Sequence, residues 1–124
     1  MTIRNILSAA TLSVFAFTAT PSIAGEADVL DVRAERSGDS WRFTVTVAHE
    51  DAGWNHYADR WDILAPDGTV LGSRVLLHPH DSEQPFTRSL GGVAIPAGID
   101  RVTIRAHDKI HGLGGKTVTI TLPE

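Results

Sequence analysis

Apolar and polar residues alternate along most of the chain with period two, the pattern of strands that bury one face. Between Glu26 and Arg36, Leu30, Val32 and Ala34 share one side, and Asp31, Arg33 and Glu35 share the other. Ser37-Gly38-Asp39 reads as a turn. Trp41, Phe43, Val45 and Val47 then alternate with Arg42, Thr44 and Thr46, and His49 ends this second strand on the apolar parity. Glu50-Asp51-Ala52-Gly53 breaks the pattern before a third strand over 57–65. There Tyr57, Trp61 and Ile63 share one parity with Asp59, a carboxylate on an apolar face. That conflict predicts a bulge, a partner such as Arg60 or Arg105, or a functional carboxylate.

Pro66-Asp67-Gly68 is a tight-turn signal, and the return strand covers 69–77. Residues 78–85 form a polar loop, 86–90 a short strand, and 91–98 a crossover framed by Gly91-Gly92 and Pro96-Ala97-Gly98. Val102, Ile104 and Ala106 point inward from a strand over 99–106, with Thr103, Arg105 and His107 outward. Val118, Ile120 and Leu122 alternate with threonines in the last strand, 116–122. No stretch sustains helical periodicity. Seven short strands with turn signals every ~8–12 residues predict an all-β, seven-stranded antiparallel sandwich of immunoglobulin or fibronectin-III type. Trp41, Phe43 and Trp61 are expected in its core. Trp54 is expected to lid the core end or to wall a pocket.

Antiparallel travel turns this strand order into a prediction about histidines. If the chain reverses at each connection, the second, fourth and sixth strands end at the same pole. That pole then collects His49, His56, His78, His80, His107 and His111, and the opposite connections carry none. Glu50, Asp51, Asp81, Glu83 and Asp108 lie on the same loops. Imidazoles with carboxylates suit a divalent ion, copper(II) or zinc above all. All six histidines are therefore candidate ligands. In this type of sheet the third and sixth strands are neighbours, which sets His56 opposite His107 as the nucleus, with His78 or His80 completing it. Asp62 would then face Arg101.

The first 24 residues carry one charge, Arg4, then an apolar stretch from Ile6 and small residues at Ser22 and Ala24. This is the layout of a cleaved export signal, with Gly25 the first mature residue and 25–124 a single domain. An exported, periplasmic or secreted, protein follows. The chain has no cysteine, so disulfides, blue-copper centres and Cys-ligated clusters are excluded. The one methionine, Met1, leaves with the signal, which excludes a Met-rich copper(I) site. A formal charge of −4, without a Lys/Arg cluster, argues against nucleic acid and, after signal cleavage, against membrane binding. No nucleophile elbow, zinc-protease motif or phosphate loop is present, and no organic cofactor is indicated.

The runs GWNHYADRWDILAPDG, VLLHPH and EQPFTRSLGGV resemble a pattern in small exported bacterial proteins of unknown function, over about residues 53–115. The resemblance implies an exported β-domain and no particular activity. A looser architectural likeness links the chain to periplasmic copper-handling sandwiches, whose Met-rich motifs it lacks. The sequence thus predicts an exported protein that binds or delivers a divalent metal, with a metalloenzyme the less favoured reading. The alternative is a metal-free periplasmic module whose loops bind a protein partner or ligand.

Overall fold

The computed structural model describes residues 25–124, so the expected signal and its cleavage site lie outside the described residues. Seven strands form: β1 (Asp28–Ser37), β2 (Ser40–Ala48), β3 (Ala58–Leu64), β4 (Val70–Val75), β5 (Phe86–Val93), β6 (Arg101–Asp108) and β7 (Val118–Thr121). They make two antiparallel sheets, β1-β2-β5 and β4-β3-β6-β7. Among the described residues there is no helix, and none long and apolar enough to cross a membrane.

The two inner faces meet in one core. Val29, Phe43, Val45, Val47 and Phe86 come from the smaller sheet, and Trp61, Ile63, Val102, Ile104 and Ala106 from the larger. Burying one such side chain stabilises the fold by about 1.5–3 kcal/mol. Trp41, Phe43 and Trp61 are buried, as the alternation required. The turn between β3 and β4 follows the sequence: Asp67 Oδ1 accepts from Thr69 N at 2.9 Å, and Gly68 takes φ +92°. A side chain at that φ would be strained.

Three irregularities depart from simple alternation. The β1–β2 register shifts between Val29 and Asp31, so Val29 is buried and Leu30 is exposed, against the expected parity. β5 runs to Val93 instead of stopping at Leu90. Its register against β2 shifts between Trp41 and Phe43, and Gly92 at φ +69° lets the strand bulge and continue. The β3–β6 register shifts between Ala58 and Arg60, at the misplaced Asp59.

The observed register differs from the expected cross-strand pairs. Arg60, not His56, stands opposite His107, and Asp62 faces Arg105, not Arg101. His56 lies before β3 in a loop closed by Ala52 N donating to His56 O at 2.7 Å. A slip by an even number of residues leaves every side chain on its face, so the pattern could not choose the pairs.

Asp62 is 2% exposed. Arg105 Nε donates to it at 2.8 Å, Ser73 Oγ at 2.6 Å and Arg60 Nε at 3.1 Å. Burial is the largest single influence and opposes its charge. The hydrogen bonds from Ser73 and Arg105, with the charge and hydrogen bond of Arg60, together outweigh burial and hold its pKa below the ordinary value. A depressed folded pKa contributes stability that is complete above the unfolded value of ~3.9 and is lost as pH falls through the folded one. Asp62→Asn is therefore expected to be less stable than the wild type by about 1–3 kcal/mol at pH 7. In urea melts the gap should close below pH ~4; a gap independent of pH would contradict the assignment.

Candidate metal centre

The pole reached by the ends of β2, β4 and β6 carries all six histidines. They form three groups there.

The central group is His49, His56 and Asp108, with His111 beside it. His49 follows β2 and is 5% exposed; Asp108 ends β6 and has no exposed surface. His49 Nε2 lies 3.3 Å from His56 Nε2 and 3.8 Å from Asp108 Oδ2. His56 Nε2 and His111 Nδ1 each lie 3.4 Å from Asp108 Oδ1. One ligand atom from each of His49, His56 and Asp108 falls within 4.8 Å of the others, so the three can hold a metal ion. Two donors in tetrahedral array on bonds of ~2.1 Å are roughly 3.4 Å apart, close to the spacings of His56 Nε2 from His49 Nε2 and from Asp108 Oδ1, while His49 Nε2 to Asp108 Oδ2 is wider at 3.8 Å.

Protonation chemistry favours an ion here. His49 Nδ1 contacts Asp51 Oδ1, and since a carboxylate only accepts, the tautomer that donates from Nδ1 suits this contact. His49 Nε2 then faces only the Gly25 carbonyl at 2.9 Å, the Asp108 carboxylate and the His56 ring. Asp108 Oδ1 accepts from Ile110 N at 2.9 Å and His111 N at 2.6 Å, but Oδ2 is buried without a hydrogen-bond partner. A buried carboxylate oxygen left unpaired is costly. A cation bound among these atoms removes that cost.

Asp51 organises the surroundings. Its side chain is fully buried. Besides His49 it accepts from Ala58 N at 3.1 Å and His80 N at 2.6 Å. It thus locks the loop after β2, the start of β3 and the loop after β4 together. A carboxylate on the far nitrogen of a ligand imidazole fixes its tautomer and ring orientation. Gln84 adds a second tie, accepting from His49 N at 2.9 Å and donating to His80 O at 3.0 Å.

The second group is His78 and His80, with ring centroids 4.7 Å apart. His80 is buried and stacks on Phe86 at 3.9 Å, 8° from parallel. His78 is exposed, its Nδ1 3.0 Å from Pro79 O. The third is His107, which turns to Asp59: His107 Nδ1 lies 2.6 Å from Asp59 Oδ1. That contact settles Asp59, whose partner is a histidine and neither arginine. Trp54 is not a lid; it is 63% exposed and meets Tyr57 edge-on at 5.7 Å.

The geometry therefore groups His56 with His49 and Asp108 and sets His107 against Asp59. Asp108 was visible only as one of several loop carboxylates. Its signal was local: an Asp ending a strand, followed by Gly112 at φ +69°, marks a turn closed on the Asp, and Asp108 N and O both bond Gly112 at 3.1 Å.

No family model matches the chain. A Halomicrobium mukohataei protein named "Putative lipoprotein" is 42% identical over 96 residues, which is 77% of this chain and 47% of that protein. The chain spans about half the length of this curated relative. Among solved structures, a hypothetical protein of Pyrococcus horikoshii OT3 superposes with a TM-score of 0.53 at 17% identity, covering 79% of this chain and 90% of that one. A superoxide reductase in the oxidised state gives 0.51 at 16% identity, covering 82% and 93%. The superoxide reductase of Nanoarchaeum equitans gives 0.52 at 12%, covering 85% and 100%. At such identities the likeness concerns the fold alone: the chain has a β fold related to that of the superoxide reductases.

His80 yields a prediction. Burial, followed by the nearby Arg88 and His78 charges, lowers its pKa below the ordinary value; Asp51 and Glu83 oppose this but are outweighed. A base with a depressed folded pKa binds fewer protons folded than unfolded, so stability falls as pH drops below the unfolded value of ~6.5. Thermal melts from pH 7.5 to 5 should show a smaller acid-induced fall for His80→Gln than for the wild type. Identical falls would show that His80 does not carry this sensitivity.

Proposed function

We propose that this chain is an exported protein that binds one divalent first-row transition-metal ion at its histidine pole. His49, His56 and Asp108 are the primary ligands, and His111 is within reach of the same ion. One observation carries the reading: ligand atoms of His49, His56 and Asp108 lie within 4.8 Å of one another, and Oδ2 of the same buried Asp108 has no hydrogen-bond partner. Export is supported by the signal-like leader and by the name of the lipoprotein relative. The strand order, with β2 between β1 and β5 and β3 between β4 and β6, supports an immunoglobulin- or fibronectin-III-like reading of the sandwich.

The donor set refines the choice of ion. Imidazoles with carboxylates suit copper(II) or zinc, the ions expected from the sequence. Two histidines with one carboxylate and open positions suit non-haem iron(II), and iron(II) is our first choice. Bound there, the ion would supply Lewis acidity and, if iron or copper, one-electron chemistry. Asp51 would hold His49 oriented.

A second reading, the partner-binding module, is favoured by exposed apolar side chains on the same loops: Trp54 at 63%, Leu77 at 74% and Ile110 at 60%. The two readings separate by mass action. A metal bound at 1,000 times its Kd stabilises the fold by about 4 kcal/mol, whereas a metal-free module does not respond.

Chelator competition with iron(II) and zinc(II) should show that His56→Ala costs more than the roughly 10–100-fold typical of losing an outer-shell partner, and that Asp51→Asn falls within that range. His78→Ala and His107→Ala should leave affinity unchanged. Binding abolished by both His56→Ala and His107→Ala but kept in His49→Ala would restore the other nucleus. Because two fold neighbours are superoxide reductases, the loaded protein should also be assayed for reductant-dependent superoxide removal. Turnover lost in His56→Ala would make the site catalytic.

A further inference from the structure

We propose that the α-amino group of Gly25, released when the leader is cut away, is a ligand of this metal centre, so that the site is completed only in the processed protein. The proposal rests on the metal reading above and adds to it a ligand, and a control step, that the side chains do not supply.

The first described residue does not trail away from the fold; it sits in the ligand cluster. The Gly25 carbonyl oxygen lies 2.9 Å from His49 Nε2, the nitrogen that also faces His56 and Asp108. Two donors at right angles on one ion, with bonds of ~2.1 Å, lie roughly 3.0 Å apart. The Gly25 oxygen is therefore spaced as a neighbouring donor to His49 Nε2.

Its α-carbon packs directly on His111. A Cβ at Gly25 would fall 2.2 Å from His111 Cε1 and 2.7 Å from both ring nitrogens, and the residue has φ +118°. Only glycine fits such a position. The main chain here passes among the ligand side chains.

The residues that follow are pinned to the body. A Cβ on Gly115 would fall 1.9 Å from Ala27 O, and one on Gly114 2.8 Å from Glu26 Oε2, so the β6–β7 loop is a backbone cradle for this segment. Lys116 N donates to Asp28 Oδ1 at 2.7 Å, and Val29 N to Lys116 O at 2.8 Å. Ala27 is 1% exposed. The position of Gly25 is thus imposed by the sandwich.

The leader's small-residue end places the cut between Ala24 and Gly25. Before the cut, the Gly25 nitrogen is an amide whose lone pair is delocalised into the Ala24 carbonyl, and it is no donor at neutral pH. Hydrolysis adds water across that bond and yields the Ala24 carboxylate and the Gly25 amine. The amine and the carbonyl oxygen of one residue close a five-membered ring on a shared ion, formed by the metal, N, Cα, C and O. Together with His49, His56 and Asp108 they make a mixed nitrogen and oxygen set suited to a divalent first-row ion. The precursor lacks this chelate, so tight loading follows export.

The test uses zinc(II) alone as probe, in competition with a chelator, and three forms of the exported protein. These are the native mature chain, verified by intact mass to begin at Gly25, an α-N-acetylated mature chain, and a chain that retains Ala24. The two blocked forms add different bulk to the same nitrogen, so a folding defect in one leaves the other as the comparison. His56→Ala is measured in the mature background. Both blocked forms should bind zinc at least about tenfold more weakly than the mature chain, the lower bound for losing even an outer-shell partner. Equal affinity of mature and blocked forms, with binding still lost in His56→Ala, would overturn the amine ligand and leave the metal site standing. A mature mass that does not begin at Gly25 would overturn it as well. Absence of zinc binding in every form, or binding indifferent to His56→Ala, would refute the metal reading itself and this inference with it.

Discussion

A carboxylate without exposed surface holds this pole together. Asp108 ends β6 and closes the following loop through main-chain bonds to Gly112. Its Oδ1 also accepts the amides of Ile110 and His111, while Oδ2 points toward His49 with no donor to satisfy it. One oxygen of the group does structural work and the other is left without a hydrogen-bond partner. A buried anion persists only where something compensates it, and under the proposed reading a cation held among the imidazoles gathered around Asp108 is that compensation.

The sandwich supplies what such a site needs. β2, β3 and β6 carry the most deeply buried side chains, Phe43, Trp61 and Ile104 among them, and these strands deliver His49, His56 and Asp108. Ligands leaving a close-packed core inherit its rigidity. Asp51 extends that rigidity by one layer, since the carboxylate that orients His49 also bonds Ala58 N and His80 N. The likeness to the superoxide reductases concerns the fold alone, while the chemistry at the histidine pole belongs to this chain's own residues.

The outer faces use different means. Asp62 is shared by Arg60, Arg105 and Ser73 across β3, β4 and β6. Paired hydroxyls, Thr44 with Ser89 and Thr103 with Thr119, link neighbouring strands. With no cysteine in the chain, these polar ties and the single core replace disulfides.

Alternation alone determined the strands, the turn at Pro66-Asp67-Gly68, the burial of Trp41, Phe43 and Trp61, and the collection of six histidines at one pole. All of these follow from the side-chain period of a strand and the reversal at each connection, which are properties of short stretches. Tertiary structure decided the register. A one-residue bulge at Asp59 set Arg60 against His107, another exposed Leu30, and the glycines near the end of β5 carried that strand past its expected limit. It also decided which imidazoles share a centre, because that depends on three loops and the start of β1 meeting in space. Asp108 and Gly25 lie 83 positions apart yet both meet His49. Periodicity records which way a side chain faces; which distant groups it meets depends on how the sheets stack and where their strands slip.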